Sequence, residues 1–197
     1  MRDTDRTSDR DLVKQFLAGD REAFTALNRA HHPAVFRFML HMTGDQTRAG
    51  EITQDVFIWL IHHAGDFDES KAGLATFLAG VARKFLSRQQ QMQRRWMPLD
   101  EAVFKKGSVS DNDALASLSR ERETAELRRA IASLPPRYRE VVILCDLEGQ
   151  TYEEAAGVIG CVTGTVRSRL HRARGLLARK LEWKKHERNR QVQRCSV

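Results

Sequence analysis

The chain has 197 residues, enough for one large domain or two small ones. Charged residues make up 30%, aromatics 7% and apolar residues 41%, a balance that supports a packed core and argues against a disordered chain. Residues 151–197 hold 11 Lys+Arg against 4 Asp+Glu, whereas residues 1–150 hold 22 of each, so the net charge of +7 sits entirely in the C-terminal quarter. A polyanion is attracted to such a segment over about a Debye length. No apolar run reaches the roughly 18–20 residues needed to span a bilayer, and the polar start at 1–10 does not read as a signal peptide. The cysteines, Cys145, Cys161 and Cys195, are odd in number and lack C-x-x-C spacing, against a disulfide framework or a zinc site. The expectation is a soluble protein of a reducing cytoplasm.

Strand signals are missing, and Leu, Ile, Val, Ala and Phe recur at helical spacing. A short amphipathic helix begins at Asp11-Leu12-Val13 and stops near Gly19. Asp20 can cap the next helix, which carries Phe24, Leu27, Val35, Phe36, Phe38 and Met39 and ends at Thr43-Gly44-Asp45. Pro33 lies inside that pattern and predicts a kink or a break. A third stripe, Ile52, Val56, Phe57, Leu60 and Ile61, occupies 47–63, and a fourth, Phe77, Leu78, Val81, Phe85 and Leu86, occupies 74–91. The periodicity then dissolves, and 96–119 reads as a flexible linker rich in turn formers. The helical pattern resumes after it, interrupted by Pro135-Pro136. The fold class is therefore all-α: two small helical domains at 9–95 and 120–183 joined by a flexible linker, with a basic tail at 184–197. That tail either prolongs the last helix or forms a frayed basic terminus.

Thr151-Tyr152-Glu153-Glu154 has the form of a capping box. It opens a short helix over 152–159, with Gly160 at the C-cap, a turn through Cys161-Val162, and Thr163 as a second N-cap before a helix to about Leu181. This is the pattern of a helix-turn-helix, in which Ala155, Ile159, Cys161 and Val166 fall at the close helix contact. On the second helix Val166, Leu170, Ala173, Leu177 and Leu181 form one stripe, while Arg167, Ser168, His171, Arg172 and Arg174 spread over the rest and Arg169 lies on the far flank. Arginine forks suit both phosphate oxygens and the guanine edge in the major groove. An arginine-rich helix alone would more often be a solvated face. The box, the short helix, the glycine turn and the second helix together point to duplex DNA.

The segments Leu134-Pro135-Pro136-Arg137-Tyr138-Arg139-Glu140-Val141-Val142, Leu147-Glu148-Gly149-Gln150-Thr151-Tyr152-Glu153-Glu154-Ala155-Ala156 and Gly164-Thr165-Val166-Arg167-Ser168-Arg169-Leu170-His171-Arg172-Ala173-Arg174 resemble region four of the extracytoplasmic-function (ECF) subfamily of sigma-70 factors. In that family this domain reads the minus-35 promoter element. The resemblance implies upstream DNA contacts from Thr163, Thr165, Arg167, Ser168, Arg169, His171, Arg172 and Arg174. Glu51-Ile52-Thr53-Gln54-Asp55-Val56-Phe57 is similar to the region-two segment that grips the β′ clamp helices of core RNA polymerase, which implies polymerase-binding roles for Glu51, Gln54, Asp55 and Phe57. Glu51 and Asp55 are one helical turn apart, an acidic surface suited to a basic helix.

Phe67-Asp68 and the stretch from Leu74 to Lys84 resemble the part that melts and reads the minus-ten element. Here the chain departs from the family, with Phe77 for the usual Trp, Lys84 for Asn and Ser87 for Asp. A cation in place of a polar reader favours phosphate over base contact, so Arg83, Lys84 and Arg88 are expected to hold the melted strand mostly by charge.

The resemblance covers about 20–91 and 127–181. It implies promoter DNA, core polymerase through β′ and the β flap, and an anti-sigma protein as partners. No cofactor, metal or membrane insertion is expected. His31-His32 and His62-His63 are adjacent pairs that cannot converge on one ion, and no phosphate loop or nucleophile elbow suggests an enzyme. The other reading is a stand-alone helix-turn-helix regulator whose first domain senses a ligand or partner.

Overall fold

The computed structural model describes residues 8–96 and 118–194, with side chains described up to residue 93 and again over 124–182. Among these residues every regular element is helical: α1 (Asp9–Leu17), α2 (Arg21–Thr43), α3 (Gln46–His63), α4 (Leu74–Trp96), α5 (Leu118–Ala132), α6 (Pro136–Val142), α7 (Tyr152–Ile159) and α8 (Thr163–Arg194). A single 3₁₀ turn, Ala64–Asp66, follows α3, and a π-helical turn, Ile143–Leu147, follows α6. No helix among the described residues is long and apolar enough to cross a membrane. The chain divides into two compact units, one around α1–α4 and the other around α5–α8.

In the first unit Ser8 caps α1, accepting from the Asp11 N–H at 3.2 Å. Asp20 caps α2 as the sequence predicts, its Oδ1 taking the N–H groups of Glu22 at 2.9 Å and Ala23 at 3.4 Å. An ion pair, His31 Nε2 to Asp9 Oδ1 at 2.9 Å, ties α1 to α2. Pro33 does not break α2, which runs through it without interruption. Pro33 and Arg29 are both exposed, so water can serve the carbonyl that the proline leaves without a helical donor. The core combines Leu27, Val35, Phe38 and Met39 with Ile52, Val56 and Leu60 of α3 and Leu74, Leu78, Ala82 and Leu86 of α4. Arg48 Nε donates to Gln89 Oε1 at 3.3 Å, a polar tie between α3 and α4.

The second unit is held by Ile131 and Leu134, by Val141 to Leu144, and by Val166, Leu170, Ala173 and Leu177, all buried. The proline pair separates α5 from α6, and Pro136 stands in the first turn of α6, where its missing N–H is harmless. Arg139 closes the end of α5 by donating to the Ala132 carbonyl and, at 3.2 Å, to the Leu134 carbonyl. The π-turn ends at Gly149, whose φ of +69° lets the Gln150 N–H reach back to the Leu144 carbonyl at 2.9 Å. Helix α4 reaches Trp96 and α5 begins at Leu118, so of the expected linker only 97–117 lies outside the described residues. Of the two alternatives for the tail, prolongation holds: α8 continues to Arg194. Cys195 lies outside the described residues.

Candidate nucleic-acid and polymerase interfaces

The helix-turn-helix follows from local bonds. The Glu154 N–H donates to Thr151 Oγ1 at 3.2 Å, and the Thr151 N–H donates to Glu154 Oε2 at 2.8 Å, a reciprocal capping box. Helix α7 ends at Gly160, whose φ of +73° is the left-handed conformation that glycine adopts without steric cost. The expected cap of α8 shifts by one residue. The Val162 carbonyl accepts from Thr165 at 2.9 Å and from Val166 at 3.4 Å, so Val162 holds the cap position and Thr163 is already the first helical residue. Gly160 has reversed the chain early enough for helical bonding to begin at Val162.

Along α8 the buried stripe is Val166, Leu170, Ala173 and Leu177, with Leu181 half-buried at its end. Arg167, Ser168, His171 and Arg172 are exposed, whereas Thr163, Thr165 and Arg169 are half-buried on the flanks. Ser168 Oγ donates back to the Thr165 carbonyl at 3.0 Å, which leaves the hydroxyl to act outward as an acceptor. Arg174 is exposed but engaged: Nε and Nη2 donate to Asp146 at 3.2 and 2.6 Å. That bond keeps its guanidinium charged and raises its pKa, and it makes Arg174 a strut to the π-turn as much as a free cation.

The outward face of α3 carries Glu51, Gln54 and Asp55, all exposed. Phe57 is not on it. At 4% exposure it lies in the core, 5.7 Å between ring centroids from His32, so it supports the face from beneath and cannot touch a partner. Its place is taken by Ile58 and Ile61, 48% and 45% exposed, which continue the acidic face along the same side of the helix. On α4, Lys84 and Arg88 are exposed one turn apart, while Arg83 is half-buried. Phe77 is packed among aromatics, with Phe67 and Trp59 at 5.6 and 5.9 Å.

Two sequence families match in the same order as these two units: Sigma-70 region 2 over residues 27–95 and Sigma-70, region 4 over residues 124–177. The chain is 31% identical over 175 residues to the ECF RNA polymerase sigma factor SigM of Mycobacterium tuberculosis, a match covering 88% of this chain and 85% of that one. The chain belongs to the ECF sigma factors. It is also 30% identical over 161 residues to the ECF sigma factor SigE of Mycolicibacterium smegmatis, covering 79% of this chain but only 62% of SigE. Among solved structures it resembles the sigma factor RpoE of Bartonella quintana, solved with the anti-sigma factor NepR, at a TM-score of 0.68 and 25% identity over 81% of this chain and 96% of that one.

Sequence reasoning missed the residues through which this sigma factor holds its α8 cations. The Arg167 guanidinium lies over the Tyr152 ring, 5.9 Å from the centroid, and Arg137 lies over the Tyr138 ring at 4.8 Å. Arg172 is hydrogen-bonded to the Tyr138 phenol, which lowers the pKa of that phenol. Adjacent Tyr and Arg residues were visible in the sequence, but only the crossing of α6, α7 and α8 pairs them. Ile58 and Ile61 could have been found: they follow Glu51, Gln54 and Asp55 at helical spacing.

Proposed function

We propose that this sigma factor binds core RNA polymerase through the α3 face and directs it to a class of promoters, with α8 anchoring on duplex DNA at the upstream element. The observation that carries the reading is one chain with two opposite faces. An exposed acidic strip, Glu51, Gln54 and Asp55, suits a basic protein helix, and an exposed basic strip, Arg167, His171 and Arg172, suits a phosphate backbone. In this reading β′ meets α3, with Ile58 and Ile61 supplying apolar contact beside the charges. The upstream helix presents Arg167, Ser168 and His171 to the major groove, with Thr165, Arg169 and Arg172 beside the backbone. Arg174 acts mainly as a strut, and Thr163 contributes backbone rather than a cap. Lys84 and Arg88 hold the melted strand near the start site. The second unit also rests on the β flap.

Linking two weak contacts through one chain raises the effective concentration of each for its target, so selectivity emerges on the polymerase rather than on the free protein. The protein works in the cytoplasm, catalyses no reaction itself, and is held silent by an anti-sigma protein. Support for the last point comes from the resemblance to a sigma factor solved with its anti-sigma factor.

The test is transcription from genomic fragments by purified core polymerase with and without this protein. The expected result is new, discrete start sites and a stable complex with core on gel filtration. No added initiation and no complex would overturn the reading. Tight, specific operator binding by the free protein would favour a stand-alone regulator instead.

A further inference from the structure

The cations of α8 differ in how they are neutralised. Arg174 has a carboxylate, Asp146, at 2.6 Å. Arg172 and Arg137 have none among the described residues, and both are exposed. Yet both are drawn to one tyrosine from different helices. Arg137, in the first turn of α6, lies over the Tyr138 ring at 4.8 Å, and Arg172, on α8, donates to the Tyr138 oxygen. Two guanidinium groups gathered around one phenol repel each other unless an anion sits with them. Because the Tyr138 oxygen accepts from Arg172, its own O–H proton is free to donate outward.

The geometry points to a binding site for a DNA backbone phosphate formed by Arg137, Tyr138 and Arg172, one helical turn beyond Ser168 on α8. The site rests on the proposed reading that α8 lies on duplex DNA. It adds two residues that the helix-turn-helix itself does not contain, and Tyr138 serves as the positioning residue for both cations. Guanidinium forks match phosphate oxygens bidentately, and the phenol supplies a further donor. Residues near the start of a recognition helix meet bases, whereas those further along meet the backbone, which is where Arg172 stands. The lowered phenol pKa agrees with a site of positive potential. A contact of this kind carries no sequence information and fixes the register in which Arg167 and Ser168 meet the groove.

The test uses holoenzyme, assembled from core polymerase and the full chain, on promoter duplexes recovered by the transcription experiment. Affinity is measured between 50 and 200 mM salt, and the slope of log K against log salt is compared. Arg137→Ala is expected to reduce the slope by about 0.9, the value of one phosphate contact, and the Arg137→Ala, Arg172→Ala pair by about twice that. Arg137→Lys keeps the slope. Tyr138→Phe keeps the charges and therefore the slope, but lowers affinity by roughly threefold to tenfold as Arg172 loses its orienting partner. All variants should rank a panel of base-substituted promoters as the wild type does, and should keep its melting temperature.

A wild-type slope for Arg137→Ala overturns the site, as does a change in the ranking of promoters, which would make Arg137 a base reader. Weakened assembly with core at an unchanged slope assigns the cluster to the polymerase and overturns it too. If wild-type protein forms no promoter complex at all, the underlying reading fails before any variant is examined, and the phosphate site falls with it.

Discussion

The α3 face and the α8 face are both strips of exposed charge on a helix with a buried opposite side, but they are built differently. Glu51, Gln54 and Asp55 take their position from the helix alone. Arg167, Arg172 and Arg174 are each held by a side chain from another element: Tyr152, Tyr138 and Asp146. The difference matches what each face has to recognise. A protein helix offers soft, extended complementarity in which a patch of the right sign is enough to steer and dock. A DNA groove offers donors and acceptors at fixed positions, and a long, flexible arginine benefits from orientation before contact.

Breaking the scaffold under one face should spare the other. Leu170 is 1% exposed and lies at the centre of the α8 stripe, so Leu170→Ala should destabilise the second unit by about 2–5 kcal/mol. Thermal melting would read this as loss of the α5–α8 transition, while binding to core through α3 persists. Charge reversal tests the opposite face. Glu51→Arg with Asp55→Arg should weaken core binding on the order of a hundredfold, since like charges set against a basic helix cost several kcal/mol. The melting temperature should not move, because both side chains are exposed. If that double variant bound core normally, patterning on α3 would not be the determinant.

Smaller changes probe the orientation itself. Thr151→Ala removes one side of the capping box and should cost about 1 kcal/mol in the stability of the second unit, measured by denaturant midpoint. Tyr152→Leu keeps an apolar side chain but removes the ring beneath Arg167. It should weaken promoter binding by about threefold, in line with an exposed cation–π contact of roughly 0.5–1 kcal/mol. An equal loss in a Tyr152→Leu variant that already carries Arg167→Ala would show that the ring acts on something other than this arginine.

The same contrast explains what the sequence made legible. Helix positions, the Asp20 cap, the Thr151–Glu154 box, the Gly160 turn and the buried stripe of α8 depend on residues close in the chain, and the structure has them where periodicity and capping rules place them. Pro33 was misread because a helix tolerates a proline when the orphaned carbonyl faces water, and facing is a tertiary property. The family segment brought Phe57 in with its acidic neighbours, although its angular position on α3 belongs with Val56 and Leu60. The braces from Tyr138, Tyr152 and Asp146 were illegible because they connect residues 15 to 34 positions apart across three elements, and the π-turn that carries Asp146 has no sequence signature of its own.

Even so, the first unit is not wholly without side-chain anchoring, and its α3–α4 loop offers the finest test of the comparison. Asp68 Oδ1 accepts from the Ser70 N–H at 3.1 Å and from the Ser70 hydroxyl at 2.6 Å, and Lys71 Nζ lies 3.0 Å from Oδ2. These bonds, the Ser70 hydroxyl foremost and Lys71 next, lower the carboxyl pKa from 3.8 to about 2. Because the folded value lies below the unfolded one, the contribution to loop order is fully present above pH 3.8 and is lost as pH falls through about 2. A carboxyl titration by NMR should therefore place the Asp68 midpoint near 2, and Ser70→Ala should move it upward. A midpoint at the ordinary value of 3.8 would mean that the loop is as unbraced as the α3 face beside it. Oriented side chains would then belong to the second unit's DNA-facing helix alone among the surfaces compared.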